Sequence, residues 1–169
     1  VRRRAGWLVV TLAGGLFGSE VISRFSEVLE RVPLMAGFIP VIMGMGGNVG
    51  LQSATLAVRG LATGGIELTG AVAFVAREAR MGLVLGLLYG GMLAIFGVVR
   101  FQDAPTLGLA VGVSAVTAMS GASLMGASMP LLLRQAGFDP AIATGPLVTL
   151  TVDLLGILVY LNIVALLLG

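Results

Sequence analysis

The sequence predicts an all-α integral membrane protein. Three observations carry this: 57% of its 169 residues are hydrophobic, only 11% are charged, and the mean hydropathy is +1.07. A soluble domain carries roughly 25% charged residues, because its core needs a wetted surface. Ten basic residues and eight acids cannot supply one here, so the solvent around the fold is lipid.

A hydrocarbon core about 30 Å thick takes roughly 20 apolar residues as a helix. Five such runs are predicted: residues 5–22, 34–58, 81–98 with an apolar lead-in from Leu68, 106–133 and 140–168. The first follows Arg2, Arg3 and Arg4, as the apolar core of a signal peptide would. It has no clear small-residue cleavage site, however, and four more runs follow it. Because the chain begins with Val1 rather than Met, it reads as a piece of a longer protein whose remainder lies upstream, on the cytoplasmic side. Glu20 falls near the outer end of this first run, placed to draw cations to an entrance or to reach the headgroups. Residues 23–33, with Arg24, Glu27, Glu30 and Arg31, read as an interfacial helical turn.

The second run opens at Pro33 and repeats proline at Pro40; the fifth opens at Pro140 and repeats it at Pro146. Paired proline-interrupted segments are a sequence pointer to an ion site near the membrane midplane. In the first, third and fourth runs, Gly14 with Gly18, Gly82 with Gly86 and Gly90, and Gly108 with Gly112 recur every four residues. That spacing puts small residues on one helix face and lets backbones approach closely. Met119, Met125 and Met129 read as gap fillers. Between the runs lie a Gly-rich turn over 60–67 and the segments 100–105 and 134–139. Glu67, Glu78, Asp103 and Asp139 are placed at or beyond span ends, with Asp139 ahead of Pro140 as an N-cap for the fifth helix.

Arginine orients the bundle. With a cytoplasmic N-terminus the inner side collects Arg2, Arg3, Arg4, Arg59, Arg77, Arg80 and Arg134, and the outer side keeps Arg24, Arg31 and Arg100. This satisfies the positive-inside rule and places the C-terminus outside.

Composition also excludes chemistry. Without cysteine or histidine there is no disulfide, zinc-thiolate site, iron–sulfur cluster, cysteine nucleophile or serine–histidine protease. The arginines sit between apolar runs rather than in a solvated patch, which argues against nucleic-acid binding. An intramembrane aspartyl protease needs two facing aspartates, and the spans hold one.

That one is Asp153, near the middle of the fifth run with no basic residue in its own helix. A carboxylate at the bilayer centre costs roughly 2.5–3.5 kcal/mol on insertion scales and marks function by default. Thr149 lies one turn earlier on the same face. Pro146 has no amide to donate and would free the carbonyl of Ile142. Carboxylate and backbone oxygens make a hard-cation environment; the competing reading is a protonated or Arg-paired aspartate that locks the bundle. In the second run the segment Gly44 to Gln52 is denser in glycine than packing needs. Asn48, Gln52, Thr55 and Arg59 share one helical stripe. Such a stripe must face protein or water, either as interhelical hydrogen bonds or as the wall of a water-lined path.

These residues carry a resemblance. The run Pro40-Val-Ile-Met-Gly-Met-Gly-Gly-Asn48-Val-Gly-Leu-Gln52, followed by Arg59-Gly-Leu-Ala-Thr-Gly64, resembles the second transmembrane helix of the MgtE magnesium channels. The run Gly137-Phe-Asp-Pro140-Ala-Ile-Ala-Thr-Gly145-Pro146 through Thr151-Val-Asp153-Leu-Leu-Gly156 resembles their fifth.

The resemblance implies a single transmembrane domain over residues 1–169, and a homodimer whose second and fifth helices line a central pore. Asp153 would hold a largely hydrated Mg2+ with its copy across the dimer axis. Backbone carbonyls around Thr149 and around Gly46, Gly47 and Asn48 would join it, with Gln52, Thr55, Pro146 and Gly156 along the pore. The resemblance also implies a cytoplasmic regulatory region with paired CBS domains, absent from this chain, and a plug helix entering near Arg2–Arg4. The expected location is the cell (inner) membrane, multi-pass. No cofactor is expected; Mg2+ is cargo, with Mn2+, Co2+ and Ca2+ as further candidates. The function expected is a magnesium-selective channel rather than an enzyme, with a proton-coupled divalent-cation transporter as the alternative and a non-conducting assembly subunit as a third reading.

Overall fold

The computed structural model describes residues 2–66, 70–102 and 104–168. Val1, Glu67, Leu68 and Asp103 lie outside the described residues, as do the side chains of Arg2, Arg3 and Arg4. Among the described residues five long helices form the bundle: α1 (Arg2–Ser23), α3 (Ile39–Ala62), α4 (Ala71–Arg100), α5 (Pro105–Gln135) and α6 (Pro146–Leu168). The short helix α2 (Ser26–Arg31) follows α1, where the sequence predicts an interfacial turn. Among the described residues, four helical segments are long and apolar enough to cross a membrane: Pro33–Ala62, Ala71–Arg100, Pro105–Gln135 and Pro146–Leu168. The apolar stretch of α1, Leu8–Ser23, is shorter.

The glycine rows become helix seams. Gly97 faces Gly108, Gly86 meets the backbone of Val116 and Gly82 meets Ser123, so α4 and α5 run antiparallel with their backbones in contact. Gly126 of α5 lies directly on the backbone of Gly50, and Gly46 faces Ala122, so α3 runs parallel to α5. Gly156 faces Ile42 while Gly50 faces Val152, making α6 antiparallel to α3. Gly14 and Gly18 of α1 meet Leu150 and Leu154 of α6 in parallel. Helix α5 is the central post, with Ala110, Val111, Ala115, Ala118, Ala122 and Ala127 all buried. Successive long helices therefore alternate in direction. Arg59, Arg77, Arg80 and Arg134 gather at the end where α3 and α5 finish and α4 begins.

Several expectations from the sequence are corrected. The third long helix begins at Ala71, not near Met81, and carries Glu78 inside it, 7% exposed. The three charges Arg77, Glu78 and Arg80 mimic a loop in hydropathy, but the helix turns only Glu78 inward. The fifth long helix begins at Pro146 rather than Pro140. Pro146 therefore starts a helix, where its missing amide costs nothing, instead of interrupting one and freeing Ile142. Asp139 does cap, but it caps the 3-10 turn Pro140–Thr144, accepting from the Ala141 amide at 2.9 Å. Extended backbone at Gly145 separates that turn from α6. Pro40 likewise sits in the first turn of α3, after the 3-10 turn Pro33–Phe38. Both segments thus repeat one plan, a proline-opened 3-10 turn followed by a proline-started helix.

Polar ties pin the ends of α3. Tyr160, fully buried, donates its hydroxyl to the Met35 carbonyl at 2.6 Å. At the other end Arg134 Nη1 donates to the Leu61 carbonyl at 3.0 Å. Tyr160→Phe leaves the Met35 carbonyl without that partner and is expected to cost about 1 kcal/mol. A thermal melt in detergent should show a Tm lowered by roughly 2–4 °C; an unchanged Tm would remove this tie from the account.

Candidate ion site

The site is assembled where α6 crosses α3. Val152 is buried against Gly46 and Gly50, which aims its neighbour Asp153 along the α3 backbone. A Cβ on Gly47 would stand 3.2 Å from Asp153 Oδ1, so glycine there lets the carboxylate lie close to the α3 backbone. Asp153 is half-buried. It borders a cavity of about 230 Å³ shared with Met43, Gly44, Gly47, Asn48, Leu51 and Thr149. That volume has room for several waters.

Two further cavities adjoin. One of about 620 Å³ lies between α1 and α6, is mainly apolar, and reaches Asp153 and Thr149 past Gly14, Gly18 and Pro146. Another of about 250 Å³ lies on the far side of Asn48, bounded by Met45, Val49, Gln52, Leu85, Tyr89 and Met119. Asn48 borders both this cavity and the one at Asp153, and is exposed at the bundle surface.

The ion pairs among the described residues are Arg24–Glu20 at 3.6 Å and Arg77–Glu78 at 4.0 Å. Neither involves Asp153, so an Arg-paired lock is not what the described residues form. Among the described residues no three acidic side chains cluster as a metal cage would require. A lone carboxylate beside a cavity with room for several waters is suited to an ion that keeps its own water.

The structure brings Asp153, Thr149, Gly47 and Asn48 to one cavity and places the other candidates elsewhere. Gly46 is buried on the opposite flank of α3, towards Ala122 and Val152. Gly156 is buried and faces Ile42. Pro146 lines the apolar cavity and Gln52 the one beyond Asn48. Thr55 is exposed and donates its hydroxyl to Leu51 O at 2.8 Å, within its own helix. Glu20 is exposed beside Arg24. Gly44 belongs to the glycine-dense segment, and with Met43 and Leu51 it completes the wall. What sequence reasoning missed is a second polar centre: Ser53, Glu78 and Ser123, all buried where α3, α4 and α5 meet. Ser53 Oγ donates to Glu78 Oε2 at 3.1 Å, the two serine oxygens are 2.9 Å apart, and Ser123 Oγ donates to the Glu78 carbonyl at 2.7 Å. Serines in a small-residue run look like packing, which hid them.

Apolar helices packed through glycine seams around a lone carboxylate define a multi-pass membrane protein with an acidic site inside its bundle. The family model described as MgtE, divalent cation transporter, matches residues 39–163, and the chain belongs to that family. It is 41% identical over 165 residues to the magnesium transporter MgtE of Thermus thermophilus, covering 98% of this chain and 36% of that protein. It is 34% identical over 161 residues to the magnesium transporters MgtE of Bacillus subtilis and Enterococcus faecalis, covering 95% of this chain and 36% and 35% of those proteins. The chain spans about a third of the length of the curated relatives it matches. The family is one of transporters, not of enzymes.

Proposed function

We propose that this chain is the membrane part of a homodimeric channel that passes hydrated Mg2+ inward through a pore lined by α3 and α6. The observation that carries the reading is Asp153, set against the backbone of Gly47 in a cavity of about 230 Å³. Each chain offers one carboxylate there, and the wall residues Gly44, Asn48, Leu51 and Thr149 are exposed. A second copy facing this wall completes the site and supplies the second carboxylate. Magnesium gives up its water reluctantly, so the oxygens hold the hydrated ion through its waters. A divalent ion matches two carboxylates in charge, whereas a monovalent ion leaves them repelling each other.

The positive end bearing Arg59, Arg77, Arg80 and Arg134 faces the cytoplasm, which puts the N-terminus inside and the C-terminus outside. The cytoplasmic regulatory region of the full-length protein meets the pore at that end and gates it. The three relatives, all named as magnesium transporters, support magnesium as the ion.

Single-channel recording of the full-length protein in planar bilayers tests the mechanism. Discrete magnesium currents are expected; slow saturable flux coupled to proton movement would replace the channel with an exchanger. Asn48→Leu and Gln52→Leu test the wall. Each puts branched apolar bulk on the polar stripe and is expected to cut magnesium conductance at least ~10-fold, since desolvating a hydrated divalent ion without replacement oxygens costs several kcal/mol. Normal currents in both would take α3 out of the pore.

A further inference from the structure

The buried centre on α3, α4 and α5 lies outside the ion site and contains a count that does not close. Three oxygen–oxygen contacts link Glu78, Ser53 and Ser123, at 3.1, 2.9 and 2.7 Å. Each is at hydrogen-bond distance, and each hydrogen bond needs its own proton. A serine hydroxyl brings one proton, so two serines serve two contacts. With Ser53 donating to the carboxylate and Ser123 to the Glu78 carbonyl, the contact between the serines has none.

We infer that Glu78 carries the third proton, as a neutral carboxylic acid that closes a hydrogen-bonded ring and latches α3 onto α4 and α5. Glu78 Oε2 then donates to Ser53 Oγ, Ser53 to Ser123 Oγ, and Ser123 to the Glu78 carbonyl. Every contact is satisfied: each serine donates once and accepts once, and Glu78 donates from its carboxyl and accepts at its main-chain carbonyl. The surroundings agree. Glu78, Ser53 and Ser123 are 7%, 3% and 1% exposed, so bulk water does not reach the ring to supply the missing proton. The described charged group that faces the ring is Arg77, on the same helix; α3 and α5 present the two serines. Arg77 Nε stands 4.0 Å from Glu78 Oε1, the outer limit of an ion pair. Its guanidinium lies over the Phe74 ring, 5.4 Å from the centroid.

The latch sits where α3 most needs one. Gly50 of α3 lies on the backbone of Gly126, and Gly46 faces only the methyls of Ala122 and Val152. A seam of backbone and small groups lets helices approach closely but, among the described residues, carries no side-chain hydrogen bond between Gly46 and Gly50. Ser53, one turn beyond Gly50, supplies the directional bonds. It therefore positions α3 against α6, and with it the distance from Gly47 to Asp153. Glu78 and the serines act as positioning residues; none of them borders the ion cavity.

The consequence for pore geometry rests on the proposed function, but the latch does not, so the test avoids ion flux. Infrared spectra of the full-length protein in liposomes are compared for wild type and Glu78→Gln. Loss of a protonated-carboxyl C=O band in the variant is expected. Identical spectra in that region would overturn the proton assignment. Helix position is read by the disulfide yield between cysteines replacing Gly46 and Val152, whose Cβ-to-Cγ1 separation of 3.8 Å is within cross-linking reach; this chain has no cysteine of its own.

Glu78→Gln, whose carboxamide N–H replaces the acid proton, is expected to keep the wild-type yield. Glu78→Ala and the milder Ser123→Ala should lower it about threefold per lost bond, the mean worth of an interhelical hydrogen bond in a membrane. A Glu78→Gln variant that falls as far as Glu78→Ala would show that charge towards Arg77, not the ring, holds α3. An unchanged yield in Ser123→Ala would overturn the latch even if Glu78→Ala does not assemble.

Discussion

Asp153→Ala is expected to abolish magnesium flux through the full-length protein while leaving the bundle at least as stable. The two effects have one cause. An unpaired carboxylate in a membrane helix costs roughly 2.5–3.5 kcal/mol on insertion scales, and among the described residues no cation offsets that cost at Asp153. Removing it relieves the fold and empties the site of charge. In the proposed dimer both copies vanish together. Unit charges about 4 Å apart attract by about 4 kcal/mol at an effective dielectric of 20, so losing two of them from around a divalent ion is worth at least ~100-fold in occupancy. Magnesium uptake into liposomes gives the first readout and a thermal melt the second. Flux within a few-fold of wild type would end the reading of Asp153 as the ion's carboxylate. Lost flux with a sharply lowered melting temperature would instead make it a structural residue. Asp153→Asn keeps the shape and hydrogen-bonding capacity without charge, and is expected to fail in transport as well.

The second large effect is on folding. Gly126→Leu is expected to prevent α3 from seating on α5 and to leave little assembled protein. A Cβ at residue 126 would collide with the backbone of Gly50, its carbonyl included. Backbone cannot swing aside as a side chain can, so the helices must separate. Ordinary overpacking costs about 1–3 kcal/mol; prying two backbones apart exceeds that, and it also breaks the seam that Gly46 and Gly50 form with α5. Fluorescence-detected size-exclusion chromatography after mild heating reports the assembled fraction. The matched control is Gly91→Ala in α4, where nothing lies within 4 Å of an added Cβ; it should hold stability or gain a few tenths of a kcal/mol from helix propensity. If Gly126→Leu heats like wild type, the contact between α3 and α5 is wrong.

The seams were legible as spacing but not as partners. Gly82, Gly86 and Gly90 announce a small-residue face by their four-residue repeat, and they do lie against α5. Nothing in the repeat says that Gly50 should meet Gly126 or that Gly97 should meet Gly108, because a glycine face fits any other close-packing face equally well. The prolines misled for a related reason. Pro146 inside an apolar run and Pro146 at its start give the same hydropathy, and only the extended backbone at Gly145 distinguishes them. Glu78 was hidden among neighbouring arginines, since a window average cannot see that consecutive helical residues point about 100° apart.

What the sequence determined by itself is the number of long helices, roughly where each lies, and that one acid among them has no cation in its own helix. Those follow from hydropathy and charge, which are properties of residues taken in order. The tertiary structure decided which glycine row touches which, that Asp153 rests against Gly47, and that Glu78 points inward to two serines on other helices. Those are contacts between distant parts of the chain. They are set by how closely backbones can approach once every side chain is in place, a quantity no stretch of sequence contains.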